Sequence, residues 1–237
     1  MGKKCAILQS SYIPWKGYFD MINLVDEFIL YDCVQFTRRD WRNRNKIKTP
    51  RGAEWLTIPV ESKGNYHARI DEITVSDKGW SKAHWETIRH NYSKSCCFEE
   101  YREIFEKTYL TINTAHLSEV NRIFLQLICD VLNIDTKLTS ATQYVVDGDK
   151  NMRLISLCQQ AGADIYYSGP AAKSYVDETL FRANGIEVVW MNYDGYPEYQ
   201  QLHPPFDHHV TVLDLLFNEG VNARLFMNTF QVNLPQS

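Results

Sequence analysis

Two short apolar runs at residues 4–9 and 27–31 enclose a loop and a helix-patterned stretch at 17–24, and this opening constrains the fold more than any other feature of the chain. A helix between two short buried strands brings the second strand back beside the first and parallel to it, through a right-handed crossover. The alternation returns later, with strands expected at 136–140, 164–168 and 186–192 and helices at 150–161 and 177–184. Gly162 and Gly185 follow those helices directly, where the left-handed turn that closes a helix favours glycine. Strands and helices in this order specify an α/β fold, here a mixed, mostly parallel sheet with flanking helices.

Between the two halves the pattern is helical. Leu117, Val120, Phe124, Leu125, Ile128, Val131 and Leu132 share one face of a helix at 117–132, the clearest amphipathic segment of the chain. Together with helices expected at 81–92 and 99–110 it forms a helical insertion at about 79–133. A length of 237 residues suits one large domain or two small ones. No repeat or linker-like stretch interrupts it, so a single α/β domain over 1–237 is expected, with a division near 78 or 112 as the alternative. Smaller features complete the outline. Asp26 is expected to cap the end of the first helix. A strand at 55–60 follows the turn Thr49-Pro50-Arg51-Gly52, so that 45–48 faces 55–58 in a hairpin. A further strand is expected at 69–75, helices at 211–217 and 222–227, and a loosely ordered tail at 228–237.

Composition matters chiefly for what it excludes. No window approaches the roughly 18 uninterrupted apolar residues of a membrane span, and the apolar stretch at the N-terminus is too short for a secretory leader. Six cysteines occur without a CxxC pair. They read as reduced thiols of a cytoplasmic protein, mostly buried as small hydrophobes, and the vicinal Cys96-Cys97 is poorly shaped for an ordinary disulfide. The net charge is −4, but residues 38–51 hold seven cations against the single Asp40, a local +6 that leaves −10 for the rest. A basic island in an acidic chain points to a local anionic ligand; the plainer reading is a solvated loop. Trp41 inside the run, and Asn43 and Asn45 alternating with Arg44 and Lys46, favour the ligand.

Four segments carry residues suited to chemistry. The loop from Gln9 to Tyr18 leaves the carboxyl end of the first strand, where open α/β sheets place ligands, and offers Gln9 and the rings of Tyr12, Trp15 and Tyr18. As structure alone it is a turn with a packed indole. Next come Asp32 and Gln35 at the end of the second strand, then Trp41, Asn43, Arg44 and Lys46, with Arg44 and Lys46 expected on phosphate. Asp32 is suited to orienting a sugar hydroxyl, accepting a proton or capping a turn. The third segment runs Ser168-Gly169-Pro170 to Lys173, Tyr175 and Asp177; Ser168, Gly169 and Lys173 suit an oxyanion, and Asp177 suits a helix N-cap. The last holds Tyr199, Gln201, Asp214 and Asn218 with His203, His208 and His209. Adjacent histidines point apart in extended chain and no HExxH occurs, so no metal site is expected. GxSxG and GxGxxG are also absent.

These residues resemble the WbqC-like family. The likeness is carried by Ile7-Leu8-Gln9, Tyr12-x-Pro14-Trp15-x-Gly17-Tyr18-Phe19, Tyr31-Asp32-x-x-Gln35-Phe36 and Trp41-x-Asn43-Arg44-Asn45-x-Ile47. It continues in Ser168-Gly169, Lys173-x-Tyr175-x-Asp177, Tyr199-x-Gln201 and Leu213-Asp214-Leu215-Leu216-Phe217-Asn218-x-Gly220. The resemblance implies a place in O-antigen or other surface-polysaccharide biosynthesis, as a glycine or other aminoacyl transferase acting on amino sugars. It brings no catalytic residues with it. The strand, Pro-containing loop and helix-start glycine are also similar to the HIGH-motif nucleotidyltransferases, with Tyr18 standing where the last histidine of that motif would be.

The expectation is therefore an N-acyltransferase that modifies the amino group of a nucleotide-linked amino sugar. Residues 38–51 would fold back over the first crossover, beside Tyr12 and Ser168, to grip the diphosphate. Asp32 would serve as base, and Ser168, Gly169 and Lys173 would face the oxyanion. No coenzyme A site is evident; an ATP-activated amino acid and an aminoacyl-tRNA both stay open as donor, no cofactor is specified, no membrane partner is expected and the oligomeric state is left open. Two alternatives stand beside it: ATP-dependent adenylate formation or nucleotidyl transfer, and a non-catalytic RNA-binding or assembly module.

Overall fold

The computed structural model of the chain describes residues 2–231. Its first three elements are β1 (Lys4–Leu8), α1 (Lys16–Asn23) and β2 (Glu27–Leu30), with β1 and β2 parallel and Cys5 opposite Glu27. After them come the hairpin β3 (Arg44–Thr49) and β4 (Gly52–Thr57), then helices α2 (Trp80–Tyr92), α3 (Phe98–Thr111) and α4 (Leu117–Val131). The α/β alternation resumes with β5 (Lys137–Ser140), α5 (Lys150–Gln160), β6 (Ile165–Ser168), α6 (Glu178–Ala183) and β7 (Glu187–Trp190). The chain continues through α7 (Val212–Glu219) to α8 (Asn228–Gln231). None of these helices is long and apolar enough to cross a membrane.

Five strands form one parallel sheet in the order β5-β2-β1-β6-β7, flanked by helices as expected, and the antiparallel β3–β4 pair stands apart from it. Successive side chains of a strand point to opposite faces, and both faces of this sheet are covered. Ala6, Phe28 and Leu30 join a large core with residues of α1, of α2 to α4 and of α7, while Cys5, Ile7 and Ile29 join a second core under α5 and α6. The helices at 80–131 thus share their packing with α1.

Glu27 is buried at the start of β2 and ion-paired to Lys3 at 2.7 Å. Burial alone would raise its pKa, but hydrogen bonds from Lys3, Tyr144 and Thr139 hold it down to about 2. Asp177 caps α6 by accepting from the Thr179 and Leu180 amides at 3.0 and 3.1 Å. Gly162 and Gly185 sit at φ +67° and +77° just beyond α5 and α6.

Several local expectations are corrected. Residues 69–75 are not a strand: a tight 3-10 turn at Ile70–Glu72 occupies their centre. Buried Ile70 and Ile73 are three residues apart, a turn spacing, and the Glu72 carboxylate accepts from the Arg69 amide at 2.9 Å. Asp26 does not cap α1; its carboxylate accepts from the Lys4 amide at 2.8 Å and fixes the entry to β1. The hairpin forms two residues out of the expected register, with Asn45 opposite Leu56, because Thr49 pairs directly with Gly52 across a two-residue turn and Gly52 takes φ +109°. Residues 222–226 of the helix expected at 222–227 lie in 3-10 turns at Gly220–Phe226, and Met227 beyond them is extended. In the tail, Asn228–Gln231 is a helix whose first amides, of Asn228 and Thr229, donate to buried Asp20 at 3.0 Å. The remaining tail residues, 232–237, lie outside the described residues.

Candidate functional site

Strands β1 and β6 are neighbours, yet the chain leaves them in opposite directions: from β1 through α1 to β2 on one side, from β6 through α6 to β7 on the other. The two loops diverge at the carboxyl ends of the strands and leave a crevice between them, the place where open α/β sheets bind ligands. A cavity of about 450 Å³ lies there. Leu8, Ser11, Pro14, Trp15 and Tyr18 form the wall that follows β1, and Gly169, Pro170 and Ala171 form the wall that follows β6. Trp41, Arg42 and Asn45 close a third side, with Met21, Tyr193 and His209 completing the lining. The surface is largely aromatic and aliphatic with a few polar groups, the composition of a small-molecule site.

The basic segment does fold back over the first crossover. The Tyr12 amide donates to the Trp41 carbonyl at 3.1 Å. Asn45, buried, donates from Nδ2 to the carbonyls of Tyr12 and Ile13 at 3.1 and 2.9 Å. Arg42 donates from Nη1 to the carbonyls of Gln9 and Ser10 at 2.9 and 3.1 Å, and its own carbonyl and the Ser10 hydroxyl both accept from Asn121 at 2.9 Å. Its Nε is buried without a hydrogen-bond partner, the nearest carboxylate oxygen being that of Asp40 at 3.7 Å. Arg42 thus places a guanidinium, anchored through Nη1, among the residues that line the cavity.

The rings are held as firmly. Trp15 packs edge-on to Tyr193 and Tyr196, with centroids at 5.2 and 5.6 Å, and stacks on His209 at 6.0 Å. Tyr18 donates its hydroxyl to the Gln9 carbonyl at 2.9 Å, and burial raises its pKa well above the ordinary phenol value. A Cβ on Gly169 would lie 3.9 Å from Met21 Cε and from the Tyr193 hydroxyl, so any longer side chain there reaches into the cavity.

Of the residues singled out from sequence, Trp15, Tyr18, Trp41 and Gly169 come together in the cavity, and Gln9 contributes its carbonyl behind them. The others lie elsewhere. Tyr12 is completely buried, bonded to the Tyr109 hydroxyl at 2.7 Å and His84 Nδ1 at 2.9 Å, and presents no face to a ligand. Asp32 sits behind the loop, accepting from the Ser10 amide at 2.8 Å. Burial pushes its pKa up to about 6 against the pull of Ser10 and Arg42. Gln35 is exposed and donates to the Tyr66 carbonyl, and Asn43 is buried and donates to the Ile58 carbonyl, both outside the cavity.

Arg44 and Lys46 do not reach it either: the alternation of β3 turns them to the opposite face from Asn45, where both lie over the Trp55 ring. Ser168 ends β6 pointing into the sheet toward the Tyr166 hydroxyl at 3.3 Å. Lys173 lies over Trp190, and Lys150 covers Tyr175, both beyond the cavity. Tyr199, Gln201, Asp214 and Asn218 form a buried network of their own. Asp214 accepts from Tyr199 at 2.8 Å and Tyr92 at 3.0 Å, Gln201 donates to the Tyr199 hydroxyl, and Asn218 donates to the Asp214 carbonyl. Burial raises the Asp214 pKa to about 6.

Sequence reasoning passed over Arg42, Asn45, Tyr193 and His209. Arg42 is one cation among seven, and what separates it from Arg44 is its place in the turn before β3 rather than in the strand. His209 was weighed with its neighbours for metal. In the structure His208 turns to Phe206 and Tyr196, while His209 stacks on Trp15 with Nδ1 at 3.5 Å from Asp207. Among the described residues no three or more His, Cys, Asp or Glu gather as a metal set. Cys5, Cys129 and Cys158 are buried, Cys33 and Cys97 are half-buried, and Cys96 is exposed.

A model of the WbqC-like protein family matches residues 9–225, a span that includes every loop of this cavity. An uncharacterised protein of Mycobacterium tuberculosis, Rv1507c, is 49% identical over 221 residues, which is 93% of this chain and 96% of the relative. No solved structure matches.

Proposed function

The chain belongs to the WbqC-like protein family, and from that premise we propose that it is an N-acyltransferase that joins an aminoacyl group to the amino group of a nucleotide-linked amino sugar. The reading is carried by the Arg42 guanidinium, a cation anchored through Nη1 in the lining of an aromatic cavity lying where β1 and β6 diverge. Arg42 takes a phosphate oxygen of the nucleotide, and Trp15, Tyr18 and Trp41 pack against sugar and base. The free amine attacks the acyl carbonyl, a C–N bond forms, the bond from that carbonyl to the donor's leaving group breaks, and the amine gives up its proton to a base.

His209 is the base at this site. It lines the cavity stacked on Trp15, and the Asp207 carboxylate accepts from the His209 amide at 2.7 Å and lies 3.5 Å from Nδ1. Asp32, behind Ser10, is a positioning residue: it fixes the Ser10 amide in the loop whose carbonyls hold Arg42.

The strand order supports a second reading, nucleotide chemistry such as adenylate formation, because a crevice of this kind also accommodates a nucleotide alone. Calorimetry with dTDP- and UDP-linked aminodeoxysugars, beside ATP and the same sugars already N-acylated, separates the two. Binding that favours the free amine supports acyl transfer. Binding of ATP alone, with ATP–pyrophosphate exchange, replaces it with the second reading. Under the first, His209→Gln keeps sugar affinity and loses turnover.

A further inference from the structure

The outward face of the β3–β4 hairpin is built unlike the rest of the surface. Alternation sends Asn45, Ile47 and Leu56 inward and leaves Arg44, Lys46 and Trp55 outward, with Lys46 directly opposite Trp55. The Arg44 guanidinium lies 4.1 Å from the centre of the Trp55 ring and the Lys46 ammonium 5.4 Å from it. Trp41 lies alongside, with its ring centre 5.1 Å from that of Trp55, and the two indoles remain 40% and 43% exposed.

Two of the cations here are tied to the backbone: Arg38 donates to the Ser62 carbonyl and Arg44 to the Arg39 carbonyl. Arg51 pairs with Glu54, but among the described residues Arg38, Arg39, Arg44 and Lys46 form no ion pair. Trp41 belongs to both places, since it also lines the cavity, so this ribbon begins at the cavity mouth.

We infer that this ribbon binds a single-stranded polynucleotide, with bases stacked on Trp41 and Trp55 and phosphates held by Arg44 and Lys46. An enclosed pocket suits a small ligand, whereas an open strip of indoles interleaved with cations suits a polymer laid across it. Every base has a flat face to offer such a strip, and cation–π contacts keep the indoles oriented before a ligand arrives. The acidic remainder of the chain, at −10, repels a polyanion everywhere else and confines it to this segment. The inference stands apart from the sugar reading, because neither Arg44 nor Lys46 reaches the cavity. It deepens that reading in one respect: a polynucleotide ending at Trp41 places whatever it carries at the cavity mouth, as an acyl donor linked to RNA would.

The test is quenching of tryptophan emission by hexa-adenylate RNA across a salt series from about 50 mM. Affinity is expected to fall with salt at about −0.7 in logarithmic slope for each phosphate contact. Trp55→Ala is expected to weaken binding about tenfold or more, and Lys46→Gln to flatten the slope by about 0.7. Calorimetry of both variants with a dTDP-linked aminodeoxysugar reports on the cavity and on folding, and should match the wild-type protein. Failure of the wild-type protein to bind the RNA at low salt, or RNA binding by both variants equal to wild type, overturns the inference. Failure to bind the sugar, with RNA binding intact, counts only against the acyltransferase reading.

Discussion

Asn45 donates from Nδ2 to the carbonyl of Ile13 at 2.9 Å, and Ile13 is a β-branched residue held at φ +36°. That conformation costs on the order of 1–3 kcal/mol and persists only where its surroundings impose it. Here they do, because the same amide holds the Tyr12 carbonyl and the Ile13 side chain is fully buried. Asn45→Ala leaves two loop carbonyls without their donor and is expected to cost about 1–3 kcal/mol. At this chain length that is a fall in melting temperature of roughly 2–4 °C per kcal/mol, measurable by calorimetry. An unchanged melting temperature means that another contact imposes the strain.

Arg42→Lys separates charge from geometry. Lysine keeps the positive charge but lacks the planar fork that anchors through Nη1 on the Gln9 and Ser10 carbonyls and so fixes the guanidinium in the cavity lining. A charged hydrogen bond is worth about 1.5–3 kcal/mol, so nucleotide-sugar affinity is expected to fall at least about tenfold. Equal affinity in the two proteins, by calorimetry, removes Arg42 from the site.

The parallel sheet was legible because it rests on local pattern: apolar runs such as Ala6 to Leu8 and Phe28 to Leu30 read as strands buried on both faces. The site was legible only as far as the loops. Trp15, Tyr18 and Gly169 follow their strands directly, and topology brings them together. Arg42 and Arg44 are indistinguishable in sequence: two residues apart, they would share a face in a continuous strand, and only the start of β3 at Arg44, with Arg42 left in the preceding turn, sends them apart. Tyr199, Gln201, Asp214 and Asn218 showed polar residues at helical and alternating spacing, a pattern that a ligand site and a satisfied buried network share. Only the burial of Asp214 tells them apart.

Asp32 makes stability depend on pH in a definite direction. Its folded pKa, about 6, lies above the ordinary 3.8 because burial disfavours the carboxylate. Between about pH 4 and 6 the folded protein therefore holds a proton that the unfolded chain has lost, so this group's contribution to stability rises as the pH falls through that window. Asp32→Asn keeps an acceptor for the Ser10 amide and removes the charge. The variant is expected to gain on the wild-type protein at pH 7, by up to about 3 kcal/mol, and to lose the gain by about pH 4. Urea unfolding at pH 4.5 and 7.5 checks this; a difference independent of pH means that Asp32 is not the titrating group.

Tyr199→Phe tests whether the Asp214 network is structure or site. The phenol donates to Asp214 Oδ1 at 2.8 Å, and Tyr92 donates to Oδ2 at 3.0 Å, so the carboxylate is stabilised from both sides and still has a pKa raised by burial to about 6. Removing one donor leaves the ionised form worse served and the protonated form nearly untouched. The folded pKa then rises further, and the loss of stability, about 1–3 kcal/mol, is largest above pH 6 and fades as the pH falls to 4. None of these three groups lines the cavity, so nucleotide-sugar affinity in the folded variant should equal that of the wild-type protein. The opposite pattern, stability kept and ligand binding lost, would return Tyr199 and Asp214 to the binding site and place a second ligand pocket beneath α7.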